Sequence, residues 1–457
     1  SIMKIIIFGT GSTAEEVLNK LNQNIKILCF SDNNHKKWGR IWKGYQIISP
    51  DKINEYNYDY ILICSMYTSE IIESLIQKGI NRSKIIPYFN NINYKKLVQR
   101  DDNLKKSILN QKRGNKIALI TRRNSGCNCI ALYKKIPNFI SEKFSVELVS
   151  LNEFKKNSHQ YDVVFSTHFE GRFYKSGINI ETWHGLPIKS VGVFEKNSVD
   201  NLNDVDQGID YIISYSNIYN FVMSSAFDID VNKFIKTGMP RNDLLISDHS
   251  RTLISQLVHK NVIGKKIIFY VPTFRKRKDK LVRDGIDLFT DYEELSLIDR
   301  VMGELDIYFL IKKHPVEGDN IKHKNFKNIF FIDDLDLKKL EIDFYEVLGG
   351  SDILITDFSS VYFDYLLLNK PIIFWIKDRE IYEGNRGFLF DNIENLMPGP
   401  IVNKVTDLIN VIKEYISNGN WYSDKRTVVK KLVHYYDDFN SCERTWKIFW
   451  KEIYQSW

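Results

Sequence analysis

Only five cysteines occur in 457 residues, Cys29, Cys64, Cys127, Cys129 and Cys442. An odd, scattered set builds no disulfide framework and fits a reducing compartment. Cys127 and Cys129 are the one close pair, and no histidine or second pair stands at ligand spacing, so no metal site is expected. No apolar run reaches the length of a bilayer-spanning helix, and nothing near the N-terminus has the layout of a signal peptide. The expectation is a cytoplasmic protein. Internal repeats and low-complexity tracts are missing as well. Charge imbalance is slight: a net +7 is modest for this length and gives no ground for a nucleic-acid partner. Basic residues do concentrate in Lys95–Lys116 and at Lys425–Arg426 with Lys430–Lys431, patches suited to anionic lipid headgroups or a polyanionic substrate.

What is present is a globular composition, 43% hydrophobic and 26% charged, in a chain too long for a single core. Two or three domains are expected. Short apolar runs ending in a small polar residue recur: "KIIIFGTG" (4–11), "DYILICS" (59–65), "KIALITRR" (116–123), "DVVFST" (162–167), "DYIISYS" (210–216), "KKIIFYVPTFR" (265–275), "IYFLIKKHP" (307–315), "DILITDFSS" (352–360) and "PIIFWI" (371–376). Runs of this kind, separated by helical-length segments, predict parallel sheets covered on both faces, with ligands beyond the carboxyl ends of the strands. The fold class is therefore α/β. Residues 3–92 make a small Rossmann-like unit, 93–114 a basic helical linker, 115–250 a second α/β unit and 251–424 a third. The tail, 425–457, is predicted helical, with Trp446, Phe449, Trp450 and Tyr454 on one buried face.

In the first unit, "GTGSTA" follows a strand and opens a helix. Gly9 and Gly11 allow a tight turn and close backbone approach, and Asp32 ends the next strand where a ribose hydroxyl would lie. This is a nucleotide-binding fingerprint, equally at home in the small modules that precede sugar-modifying enzymes.

The other two units carry "ETWHGLPIKSVG" (181–192), "TGMPRNDLL" (237–245), "YVPTFR" (270–275), "IKKHP" (311–315), "LITDFSSVYFDYLLLNKPIIFW" (354–375) and "NRGFLF" (385–390). With these motifs in this order over about residues 160–445, the chain resembles the CDP-glycerol glycerophosphotransferase family of teichoic-acid primases and polymerases. The resemblance implies a GT-B-like pair of Rossmann-like domains after the small N-terminal one, with the C-terminal helix packing back on the first half. It also implies transfer of a polyol phosphate, most simply glycerol phosphate, from a CDP-activated donor to a hydroxyl of a lipid-linked or polysaccharide acceptor. CMP would leave, in synthesis of a teichoic-acid-like or capsular polymer at the inner membrane face.

The residues support a division of labour. Ser359 and Ser360 lie between a strand and a helix, where hydroxyls and free N–H groups seat an anion, and the Arg275 guanidinium can fork onto the same phosphates. Thr273, Asp357, Arg241, Asn242 and Asp243 complete the donor-binding set that the resemblance implies. His184 and His314 come from opposite halves, and the resemblance implies His184 as the general base and His314 as the partner of the donor diphosphate. A histidine base predicts an acid limb in the pH profile near the histidine range. "DDLD" (333–336), the one D-x-D near a strand, precedes a helix and is expected to cap it. No metal or other cofactor is required by this scheme. A GT-B glycosyltransferase using a nucleotide sugar, or a non-catalytic nucleotide-sugar binding protein, remains as the alternative.

Overall fold

The computed structural model describes residues 3–21, 25–88, 114–174, 177–187, 208–227, 229–273, 292–312, 325–377 and 393–456. Three six-stranded sheets organise them. The first holds β1 (Met3–Phe8), β2 (Ile25–Ser31), β3 (Ile41–Trp42), β4 (Tyr45–Ile48), β5 (Tyr60–Ile63) and β6 (Ile85–Pro87) in the order β3-β4-β2-β1-β5-β6. The second holds β7 (Lys116–Ile120), β8 (Ser145–Val149), β9 (Val163–Ser166), β10 (Ile178–Glu181), β11 (Tyr211–Ser214) and β12 (Phe234–Lys236), ordered β12-β11-β10-β9-β7-β8. The third holds β13 (Lys266–Val271), β14 (Ile307–Lys312), β15 (Ile329–Ile332), β16 (Ile353–Thr356), β17 (Ile372–Trp375) and β18 (Ile401–Val402), ordered β15-β14-β13-β16-β17-β18. Among the described residues every pairing is parallel except β3 with β4.

Parallel strands need cover on both faces, and the sequence supplies it: β5, β9, β16 and β17 are buried at every position. The third sheet has the doubly wound order in which the chain starts centrally, runs outward, then returns to the other side. Its reversal falls between β13 and β16; the second sheet reverses between β7 and β9. Such switch points open a crevice at the carboxyl ends of the strands, which is where polar strand-end residues collect.

The tail is two helices, Ser423–Val433 and Ser441–Ile448, followed by a π turn at Phe449–Tyr454, rather than one continuous helix. Phe439 in the left-handed region (φ 53°) marks the break between them. Trp446 packs on Phe165, and Phe144 receives Phe449, Trp450 and Tyr454, so the last segment closes onto the second sheet.

A buried polar cluster joins the two large halves. Arg241 Nη2 donates to Asp364 Oδ2 at 2.7 Å, with side chains 5% and 0% exposed. Asp364 also accepts from Asn242 Nδ2 (3.2 Å), Tyr215 Oη (2.5 Å) and Tyr345 Oη. Arg241 and Asn242, expected to meet the donor, are thus spent on the junction between halves. Asp243 is buried too: its carboxylate accepts from the Ser441 and Cys442 N–H groups at 2.9 and 2.7 Å, capping the last helix. Arg426, counted from sequence in a basic surface patch, is 2% exposed and bonds the Trp421 carbonyl at 2.8 Å. Asp333 caps its helix in a box with Asp336.

Candidate active site at the two switch points

After β10 the chain turns sharply through Trp183 (φ 51°) and Gly185 (φ 130°), and His184 stands between them. The turn is held from below by Glu181. Its Oε1 accepts from the Trp183 N–H at 3.0 Å; its Oε2 accepts from Phe169 N–H at 3.1 Å and Ser166 Oγ at 2.5 Å. The Trp183 ring stacks on Phe169 at 4.7 Å, which keeps a bulky residue in a conformation that costs it energy. His184 then packs against two rings, 4.0 Å from Trp183 and 4.5 Å from His168, which are themselves 6.1 Å apart.

His184 Nδ1 is 3.3 Å from the Thr167 carbonyl oxygen. A carbonyl only accepts, so Nδ1 carries the proton and the lone pair of the neutral ring sits on Nε2. Burial pushes the His184 pKa well below its ordinary value, helped by His168 and Arg123. Burial likewise holds His168 down at about 4. Behind them, Glu170 accepts from the Thr167 and His168 N–H groups at 3.0 and 2.7 Å and from Arg122 Nε at 2.9 Å. His168 and both arginines therefore stand around the second sheet's switch point.

Glu181 is fully buried beside Glu170, and burial first, then the Glu170 charge, raises its pKa to about 8. A carboxyl whose folded pKa lies above its unfolded one binds more protons when folded, so its contribution to stability declines as pH rises from about 4.5 to 8. Glu181→Gln is expected to flatten that decline in melting-temperature scans across the same window. A slope unchanged from wild type would show that Glu181 ionises normally.

In the other half, Thr273 and Asp357 follow the adjacent strands β13 and β16. Asp357 accepts from the Thr273 N–H at 3.1 Å and from its hydroxyl at 2.5 Å. The pair ties together the loops on either side of the third sheet's switch point. Ser359 Oγ accepts from the Val361 N–H at 3.3 Å, and Ser360 is the N-cap residue without a side-chain cap bond, leaving its hydroxyl uncommitted to the helix. Arg275 and His314 lie outside the described residues, as do "NRGFLF" and most of the basic linker.

The halves meet at Gly185. A Cβ built there would stand 2.8 Å from Arg241 Nη2 and 3.1 Å from Ser360 Oγ, in a backbone conformation that side chains rarely adopt. The structure thus brings His184 and Ser360 to one place. Gly185→Ala is expected to impair turnover and lower stability together, checked by activity and urea unfolding on the same preparation; wild-type behaviour in both would mean the turn has room to spare.

The N-terminal motif stands apart. Gly9 (φ 107°) packs so that a Cβ would be 2.8 Å from the Cys64 carbonyl oxygen, and Gly11 precedes helix Ser12–Lys20. Asp32 accepts from Thr10 Oγ1 at 2.7 Å and the Asn34 N–H at 2.8 Å, with Lys37 Nζ 3.5 Å away. Its carboxylate is engaged by its own domain.

Two Rossmann-like halves with polar switch points facing each other define a GT-B-like group-transfer enzyme. Comparison with known proteins gives the family. The model of the CDP-glycerol:poly(glycerophosphate) glycerophosphotransferase family matches residues 162–451, and residues 1–86 match the C2185-like N-terminal domain. The chain belongs to the CDP-glycerol:poly(glycerophosphate) glycerophosphotransferase family. It is 29% identical over 288 residues to the teichoic acid glycerol-phosphate transferase of Staphylococcus aureus (strain NCTC 8325 / PS 47), covering 60% of this chain and 71% of that protein. It is 30% identical over 251 residues to the teichoic acid poly(glycerol phosphate) polymerase of Bacillus subtilis (strain 168), covering 52% of this chain and only 32% of that one. The solved wall teichoic acid polymerase TagF shares the fold, with a TM-score of 0.62 at 23% identity over 85% of this chain and 97% of that chain.

Sequence reading missed His168, Glu170, Glu181 and the Asp364 cluster. His168 directly follows "DVVFST", so the rule of looking just past strand ends was sufficient to find it.

Proposed function

We propose that this chain transfers glycerol phosphate from CDP-glycerol to a hydroxyl of a growing or lipid-linked acceptor, with His184 as general base. The supporting observation is the His184 geometry: the proton fixed on Nδ1 by the Thr167 carbonyl, the lone pair on Nε2, and Ser360 of the donor half across Gly185. The acceptor oxygen attacks the β-phosphorus and its proton passes to Nε2. The bond from that phosphorus to the bridging oxygen breaks, and CMP departs with the electron pair.

Ser359, Ser360, Arg275 and His314 are assigned to the donor diphosphate, and the Thr273–Asp357 pair ties the segment after β13 to the one after β16. Phosphodiester formation draws only on the donor's anhydride bond, so no cofactor enters the scheme. The acceptor is assigned to a teichoic-acid-like or capsular polymer at the inner face of the cell membrane. Names of the relatives favour the polymer, and exposed lysines such as Lys425 and Lys431 favour the membrane face; no helix among the described residues is long and apolar enough to cross a membrane. The test is incubation with CDP-glycerol, CDP-ribitol and UDP-sugars. CMP from CDP-glycerol is expected; UDP from a UDP-sugar would replace the reading with glycosyl transfer, and release from none would leave a binding protein.

A further inference from the structure

Away from the crevice, an open cavity of about 660 Å³ lies where the N-terminal domain meets the second sheet. One wall is Val17 of helix Ser12–Lys20 with Tyr88; the other is Asn220 and Phe221 of helix Asn217–Phe227, with Lys236 and Tyr435 at the end. The junction is a built one. Tyr88 Oη donates to Asn232 Oδ1 at 3.0 Å and Ser225 Oγ to the Ile85 carbonyl at 2.7 Å, and apolar side chains of both domains share one core.

Two groups in the cavity have unused capacity. Lys236 ends β12, and its ammonium rests 4.5 Å from the centre of the Tyr435 ring with no carboxylate at ion-pair distance among the described residues. Burial pushes its pKa down, a cost that a bound anion would offset. Asn220 is 7% exposed, and its Oδ1 accepts from Ser214 Oγ. Its Nδ2 has no protein partner among the described residues, leaving two N–H donors for a ligand oxygen.

The position is as telling as the chemistry. Ser214 pairs with Lys236, Ile212 with Glu181, so Lys236 lies level with Trp183 on the same carboxyl edge, two strands over. At the usual spacing that is about 10 Å from the turn that carries His184. Aromatic faces, amide donors and one cation suit hydroxyls punctuated by a phosphate.

We propose that this cavity binds a phosphodiester-linked polyol, the part of the acceptor chain that trails behind the hydroxyl presented to His184. The proposal rests on the glycerophosphate-transfer reading and assigns the N-terminal domain the second wall of an acceptor track.

The experiment uses the full chain, CDP-glycerol and soluble glycerol-phosphate oligomers of one, two and three units. The acceptor KM of the wild type is expected to fall with length, and Lys236→Gln to abolish that gain, raising the trimer KM about tenfold while the donor KM and the monomer kcat stay within twofold. Asn19→Trp, an exposed substitution on the cavity rim, is expected to do the same by filling it. Direct calorimetry of the trimer on the same proteins separates the two claims. Binding lost in Lys236→Gln supports the cavity even where CDP-glycerol is not turned over, an outcome that overturns only the transfer reading. A length dependence and trimer affinity untouched by both substitutions would overturn the cavity assignment.

Discussion

His184→Ala is expected to lose about 10²–10⁴-fold in turnover while binding CDP-glycerol almost as tightly as wild type, because general-base catalysis acts on the transition state and His184 belongs to the half opposite the donor loops. Turnover from single-turnover kinetics and donor affinity from calorimetry measure the two quantities separately. The pH dependence sharpens the expectation. A base must be neutral to take a proton, and burial moves the His184 pKa well below the ordinary histidine range. Its acid limb is therefore expected well below pH 6.5, not near it as the sequence alone suggests, and is expected to vanish in His184→Ala. Near wild-type turnover in a folded His184→Ala protein would return the residue to a structural role.

The second large effect belongs to the junction. Asp364→Ala leaves Arg241 charged, 5% exposed and without its carboxylate, a situation that typically costs about 3–5 kcal/mol. Tyr215 and Tyr345 lose their acceptor in the same step. Urea unfolding reads the loss directly. The double substitution Arg241→Met with Asp364→Leu is expected to recover much of it, since removing both charges leaves none buried unpaired. A loss below about 1 kcal/mol in Asp364→Ala would mean that water or neighbouring groups solvate Arg241 in its absence.

The rule that chemistry gathers past the polar ends of apolar runs led to Thr273, Asp357 and Ser360, which the structure places at the third sheet's switch point, and to His184, which follows β10 and packs on His168 at the second. Other parts of the site left weaker marks. β10 interrupts its apolar residues with Asn179 and Glu181, so "INIE" has no pattern of a buried strand, although each of its residues is buried. Glu181 is tolerated there because its carboxyl keeps its proton to about pH 8 and has hydrogen-bond partners on both oxygens. Arg241 and Asp364 are 123 residues apart. A pairing across that separation has no local signature, so an arginine within a motif looked like a ligand for phosphate when its partner was a carboxylate. Asp243 illustrates the same limit: its role as a cap is defined by a helix that begins at Ser441, far along the chain.

Because the tail returns to the second sheet, the polypeptide crosses between the halves twice, once after Ile246 and again between Val433 and Ser441. Two crossings behave like two pins in a door: they leave one axis of rotation and suppress sliding or twisting. Near that axis stand Arg241 with Asp364, and Tyr435, whose N–H donates to the Tyr215 carbonyl at 2.9 Å. Gly185 and Ser360, against Arg241, lie close to the pins. Any relative rotation of the halves about that line would therefore change the separation of Gly185 and Ser360 less than that of residues farther from Arg241.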